Sequence, residues 1–116
     1  MTCDSLIQFF ARRPYVQDTK FSYPGNEDCI IGATNKIFYD SNLRPMSNGE
    51  TCFWAGSGCD IPNGAEFPTA RALFEAPIYG GRSIRDRWAE ITWHEIDGWM
   101  TPEQFDARPE DYDSSV

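Results

Sequence analysis

The segment Arg87–Phe105, with the sequence RWAEITWHEIDGWMTPEQF, carries the clearest structural signals in the chain. Its first part alternates residue by residue between two faces, with Ala89, Ile91 and Trp93 on one of them. Such a period of two is typical of a strand that is buried on one side. We therefore predict a half-buried β-strand over residues 87–93.

The second part of this segment predicts a turn followed by a short helix. Asp97-Gly98 is a typical residue pair for the turn of a β-hairpin. Thr101 is expected to cap the helix, Pro102 suits its first position, and Gln104 completes a capping box. The phenylalanine that follows would anchor the helix to the core.

Length and composition favour one small β-rich domain. The chain has 116 residues, 15% of them aromatic, together with nine glycines and eight prolines. Glycine and proline break helices, and large aromatic residues prefer strands, so a helical bundle is a poor fit. Many short strands joined by tight turns would explain the mixture.

The charge of the chain excludes some classes of partner. Eighteen acidic residues against ten basic ones give a formal net charge of −8. A nucleic-acid binder needs a basic surface, and an anionic membrane repels an acidic one. No apolar run approaches the ~18 residues of a membrane-spanning helix. We therefore expect neither nucleic-acid binding nor membrane insertion.

The N-terminus lacks the basic and then apolar order of a signal peptide. The chain is therefore expected to be either intracellular or a mature form whose leader has been removed.

Apolar runs and turn residues predict the other elements. In chain order these are a capped helix over residues 4–13, a loop over 14–28, a core strand over 30–39, a turn at 40–42, a loop and hairpin over 43–57, a short strand at 65–67, a strand at 70–75 and a glycine turn at 80–81. Residues 107–116 form an acidic tail.

Four cysteines permit three disulfide connectivities. Cys52 and Cys59 bracket a glycine-containing segment that can fold into a hairpin, which would bring their sulfurs together. Cys3 and Cys29 would then tie the N-terminal segment to the core. An even number of cysteines in a short β-rich chain favours such staples and an extracellular or periplasmic location. The alternative is four buried thiols in an intracellular protein.

The second half of the chain resembles bacterial-type SH3 domains. The resemblance lies in Trp88-Ala-Glu-Ile91, then Asp97-Gly98-Trp99-Met100 and Phe105, and earlier in Asn42-Leu43-Arg44 and in Ile61–Phe67. It covers residues 30–106 and implies a small SH3-like β-barrel that binds protein, peptide or cell-wall partners. Residues 1–29 would form an N-terminal helix and loop extension. A weaker resemblance, of Phe74-x4-Tyr79-x-Gly81 to a βγ-crystallin hairpin, lacks its second half downstream.

Catalytic motifs are sparse. His94 is the single histidine, so any Ser-His-Asp or Cys-His mechanism must use it. Glu95 and Asp97 beside it resemble an incomplete carboxylate cluster of retaining glycosidases. A lone histidine with scattered acids is weak evidence for a metal site, and no phosphate-binding glycine loop is present. We predict no enzyme activity, no metal and no cofactor, with a hydrolase using these three residues as the remote alternative.

Aromatic side chains are the candidate partner-binding residues, and they are Trp54, Trp88, Trp93, Trp99 and Tyr79. Strand alternation would send Trp88 and Trp93 to opposite faces, leaving one of them exposed. Trp54, on the predicted hairpin, is expected either to contact a partner or to pack the hairpin.

These observations predict a mainly β protein, namely an SH3-like barrel with a short N-terminal helix and two disulfides. Its predicted function is non-enzymatic binding of a protein, peptide or cell-wall partner, as an effector, inhibitor or immunity protein. The alternative is a structural accessory subunit of a large intracellular assembly. The partner and the oligomeric state do not follow from the sequence.

Overall fold

The computed structural model describes residues 1–108, except for the side chains of residues 36–38 and 46–50. The helices are α1 (Cys3–Arg12), α2 (Ala70–Glu75) and α3 (Pro102–Ala107), and a single 3₁₀ turn spans Trp88–Glu90. The strands are β1 (Val16–Tyr23), β2 (Asn26–Tyr39), β3 (Pro45–Ala55), β4 (Ala65–Phe67) and β5 (Thr92–Glu95). The chain is therefore mainly β with a short N-terminal helix, as the sequence predicts.

The five strands form one antiparallel sheet in the order β4-β3-β2-β1-β5. Its edge strands β4 and β5 do not pair with each other in the described residues, so the predicted closed barrel is wrong. The edge strands have only three and four residues. Helices, rather than a second layer of strands, cover the apolar face of the sheet, because α2 packs on β3 and β4 and α3 packs on β5.

The core lies between this face of the sheet and the helices. Edge-to-face ring pairs join Phe9 of α1 to Phe105 of α3, and Phe10 of α1 to Phe74 of α2, each at 5.3 Å between centroids. All four rings are at most 1% exposed. Each such pair stabilises the fold by about 1 kcal/mol beyond the area that it buries.

The predicted helices near both ends of the chain are confirmed, although α1 begins at Cys3, one residue earlier than predicted. Thr2 caps α1 through a capping box, and Thr101 caps α3 by the same arrangement with Gln104. The hydroxyl of Thr101 accepts the backbone N–H of Gln104 at 3.2 Å, and the Gln104 side chain accepts that of Thr101 at 2.8 Å. The acidic tail beyond residue 108 lies outside the described residues.

The predicted loop over residues 14–28 is wrong, because this region contains β1. β1 lies between β2 and β5, so it belongs to the centre of the fold. Its pairing with β2 shifts register between Val16 and Thr19. A β-bulge of this kind interrupts the two-residue period by which a strand is recognised. The turn that joins β1 to β2 is confirmed, with Gly25 at a φ of 93°.

The predicted strand over residues 70–75 is also wrong, because these residues form α2. The Thr69 hydroxyl accepts the backbone N–H of Ala72 at 3.0 Å and so caps the helix. Leu73 and Phe74 are fully buried against the rest of the core. Two adjacent apolar residues in a run of six fit one buried face of a short helix as well as they fit a strand.

The strand predicted over residues 87–93 begins later, at Thr92. The preceding residues form a 3₁₀ turn, in which the N–H of Glu90 donates to the carbonyl of Arg87 at 2.8 Å. The apparent alternation in this segment therefore does not describe two faces of a strand. As a consequence Trp88 and Trp93 contact each other instead of pointing apart.

The predicted disulfides are absent, and all four cysteines are thiols. The proposed hairpin over residues 52–59 does not form, because β3 runs through Cys52, which pairs with Thr34 of β2. Cys29 is 1% exposed, and burial raises the pKa of its thiol to about 11. Burial also raises the pKa of Cys3. Both thiols are therefore protonated and poorly reactive at neutral pH.

No helix among residues 1–108 has the length and apolar character needed to cross a bilayer.

Candidate binding cleft

An open cleft of about 610 Å³ lies where β5 and the 3₁₀ turn meet α3. It is lined by Met1, Trp88, Ile91, Thr92, Trp93, His94, Thr101, Pro102, Glu103 and Asp106. Two of the five aromatic residues singled out in the sequence, Trp88 and Trp93, are thus brought to one site. We refer to this surface as the Trp88 cleft.

Two indole rings form the apolar wall of the Trp88 cleft. The rings of Trp88 and Trp93 are 5.4 Å apart at an interplanar angle of 44°, and Phe21 supports Trp93 from below at 4.9 Å. Trp88 is half-buried, whereas Trp93 is 8% exposed. The buried indole N–H of Trp93 has no hydrogen-bond partner in the described part of the chain. Trp88 is therefore the ring of this pair that a ligand can cover.

Helix α3 supplies the acidic rim of the cleft. The capping box orients this helix, and buried Phe105 fixes it to the core, so Glu103 and Asp106 point outward. The ammonium group of Met1 lies 2.8 Å from Oδ1 of Asp106. The rim of the cleft therefore already binds one cationic group from within the chain.

The other predicted aromatic residues lie outside the cleft. Trp54 is half-buried on the opposite face of the sheet, where its ring covers Gly32, and a methyl group added there would overlap the indole. Trp99 is 55% exposed beside the turn at Asp97-Gly98. Tyr79 is 1% exposed and packs edge-to-face on Phe21, so its ring is part of the core and is not open to a partner.

The three residues considered for hydrolysis do not converge on one site. Glu95 lies 3.5 Å from the ammonium of Lys20. Asp97 is buried, where it accepts the N–H of Gln17 at 2.8 Å and lies 3.4 Å from the guanidinium of Arg13. Asp97 therefore has a structural role, and no shared acid–base pair results.

Sequence reasoning missed a contact between Ser22 and His94. Their Oγ and Nε2 atoms are 2.7 Å apart on the exposed face of the sheet. Such a pair is the nucleophile and base of a serine hydrolase only when a third group orients the histidine. In the described residues Ser22 is the hydrogen-bond partner of His94, and no carboxylate takes the third position. Because residues 14–28 were predicted to be a loop, Ser22 was not expected to lie on a strand beside His94.

A second groove, of about 680 Å³, lies on the face of the sheet away from the helices. Lys20 lines it opposite the acidic residues Glu27 and Asp28, so its charges are mixed. Cys29 and His94 also line it. The described residues contain no cluster of three or more potential metal ligands, here or elsewhere.

Comparison of the chain with protein-family models, curated proteins and solved structures found no match. The resemblance to bacterial-type SH3 domains stays a prediction from the sequence.

Proposed function

We propose that this protein is a non-enzymatic binding module that holds a basic segment of a partner protein in the Trp88 cleft. The observation that carries the proposal is the pairing of an accessible indole face with two exposed carboxylates on one concave surface. Aromatic residues and desolvated charges provide most of the binding energy of protein interfaces.

A lysine or arginine side chain fits this combination of groups. Its aliphatic stem would lie on the Trp88 ring, and its charged end would reach the carboxylates of α3. A cation over an indole contributes about 1 kcal/mol at an exposed site and about 2 kcal/mol when it is desolvated.

The overall charge of the chain supports the same choice of partner. A net charge of −8 attracts basic proteins over a distance and accelerates their association. A basic peptide of a protein or of a cell wall would meet this requirement, whereas a neutral polysaccharide would gain nothing from the carboxylates.

The test is a tryptophan-fluorescence titration with two synthetic peptides of equal length, one of alternating Lys and Ala and one of alternating Glu and Ala. We expect the Lys peptide to bind and the Glu peptide not to bind. Glu103→Gln should weaken binding about threefold and lower its dependence on salt, because one exposed ion pair is lost. Trp88→Leu should weaken binding about tenfold.

Glu66→Gln provides the matched control, because Glu66 is an exposed carboxylate on β4, at the opposite edge of the sheet. It removes the same charge without touching the cleft. If Glu66→Gln and Glu103→Gln lower the peptide affinity equally, the peptide responds only to the net charge of the protein, and the proposed site is rejected.

The second candidate function is an accessory subunit of a large intracellular assembly. The four thiols favour it, because the predicted extracellular or periplasmic location depended on two disulfides. Alkylation of the native protein, followed by alkylation in denaturant and intact-mass analysis, tests this choice. Four alkylated thiols without reductant would favour the assembly subunit. A mass lower by four hydrogens, with no alkylation, would favour a secreted binding module.

A further inference from the structure

A two-stranded arm extends from the sheet. β1 pairs with β2 as far as Ala33, and β4 pairs with β3 as far as Phe53. Beyond these points residues 34–39 of β2 and 45–52 of β3 pair only with each other in the described structure. At about 3.4 Å per residue, six residues of strand reach about 20 Å. The tip of the arm therefore stands clear of the sheet.

The tip is a tightly hydrogen-bonded turn over residues 40–44. The backbone N–H of Leu43 donates to the carbonyl of Asp40 at 3.0 Å, and that of Asp40 donates to the carbonyl of Arg44 at 3.1 Å. Oδ1 of Asp40 also accepts the N–H groups of Asn42 and Arg44, each at 2.9 Å. The tip is thus built to hold one conformation.

Leu43 is an unusual residue for this position. Its φ is 61°, in the left-handed region where such hairpin loops normally place glycine. Its side chain is 80% exposed, the highest value for a large apolar residue in the described chain. Tyr39, close by in sequence, is 67% exposed. A contact made outside the chain would explain why a strained backbone presents an apolar side chain to solvent.

The tip and the Trp88 cleft have complementary chemistry. The tip offers an exposed leucine, an exposed tyrosine and the exposed guanidinium of Arg44, whereas the Asp40 carboxylate is engaged by backbone N–H groups of the turn itself. The cleft offers an indole wall and the carboxylates of Glu103 and Asp106. Because the cleft lies at β5 and the arm extends from β2 and β3, the two surfaces are separate parts of one molecule.

We propose that the arm tip of one copy of this chain docks in the Trp88 cleft of a second copy. Leu43 would pack on the indole wall, and Arg44 would reach the carboxylates of α3. This contact uses two different surfaces, so it either closes a ring of copies or extends as a chain of copies. The inference rests on the proposed function, because it makes Arg44 of a second copy the basic group that the cleft binds.

Sedimentation velocity over a range of protein concentrations tests this inference at physiological salt, where repulsion between acidic molecules is screened. A contact between one loop tip and one cleft is small, so we expect the average mass to rise above that of a monomer at about 0.1–1 mM. Leu43→Gly should keep the fold and weaken association at least tenfold. Glu66→Gln should leave association unchanged within twofold.

A charge exchange identifies the two surfaces. Arg44→Glu places an acid against the acidic cleft, and Glu103→Arg places a base against Arg44 of the tip, so neither variant should associate by itself. An equimolar mixture should associate, because the tip of the first variant then matches the cleft of the second. A monomeric wild type at 1 mM would overturn the inference, as would association that Leu43→Gly and Arg44→Glu leave intact.

The peptide titration separates this inference from the proposed function. If the Lys peptide binds monomeric protein and Glu103→Gln weakens it, the proposed function stands even when self-association fails. If the Lys peptide does not bind and the protein does not self-associate, both the proposed function and this inference are rejected.

Discussion

Two hairpin turns of this protein use the same unfavourable backbone conformation in opposite surroundings. Asp97 has a φ of 56° and Leu43 a φ of 61°. Asp97 is 5% exposed, whereas Leu43 is 80% exposed. A residue other than glycine in this region loses about 1–2 kcal/mol. The fold offsets this loss at Asp97 by contacts within the chain, and it offers no comparable burial to Leu43.

The contacts of Asp97 join three parts of the fold. Its carboxylate accepts the N–H of Gln17 in β1 and lies beside Arg13 at the end of α1, and its own N–H donates to the buried hydroxyl of Thr19. The neighbouring Gly98 donates to the carbonyl of Asp18. This turn therefore holds β1, a strand that was not predicted from the sequence, against the C-terminal segment.

The largest expected effect is at Asp97. Asp97→Gly relieves the backbone but removes the buried carboxylate that faces Arg13 and accepts the N–H of Gln17. Removal of one partner of a buried ion pair costs about 3–5 kcal/mol, so we expect a net loss of about 3 kcal/mol in the free energy of unfolding. Urea denaturation measures this loss.

Asp18→Gly in β1 is the control for Asp97→Gly, because Asp18 is exposed. It should cost about 1 kcal/mol, the entropy of an added glycine. Equal losses in the free energy of unfolding at the two positions would show that the contacts of Asp97 do not offset the strain of its backbone.

A smaller and local effect is expected at Asp40. Asp40→Ala removes the acceptor of two backbone N–H groups at the arm tip, at a cost of about 1 kcal/mol. Because the tip lies beyond the sheet, the loss should open the turn locally without unfolding the domain. Amide hydrogen exchange at residues 42 and 44 should accelerate about fivefold, while the amides of β1 keep their rates. Faster exchange throughout the sheet would contradict this picture of an independent tip.

The smallest effect is expected at Leu43, and its sign is reversed. Leu43→Gly removes the backbone strain and loses little packing, while glycine adds entropy to the unfolded chain. We expect the free energy of unfolding to rise by about 0.5 kcal/mol, measured by urea denaturation beside Asp97→Gly. A loss of 2 kcal/mol or more would mean that the Leu43 side chain stabilises the folded chain, and it would remove the main argument for an external contact.

Features that depend on neighbours in sequence were predictable. The capping box of α3 is made by residues three positions apart, and the turn at Asp97-Gly98 requires only its own two residues. These signals appear in any short window of the sequence. The strand β1 was not predictable in this way, because its bulge breaks the alternation and the bonds that hold it come from residues about eighty positions away.

The candidate cleft was predictable only in part. The sequence singled out Trp88 and Trp93 but placed them on opposite faces of one strand, because it did not reveal the 3₁₀ turn between them. Nothing in the sequence predicted that α3 lies beside them. The contacts of Phe105 with Phe9 and of Met1 with Asp106 bring this helix to the cleft, and both join opposite ends of the chain.

The sequence by itself determined a mainly β chain, the helices near its two ends and most of its turns, because these follow from composition and from interactions within a few residues. Only the tertiary structure decided that the sheet stays open, that residues 70–75 form a helix and that the cysteines remain thiols. Each of these depends on which apolar faces meet across the core. Burial between distant segments selects among local conformations that differ little in their own free energy.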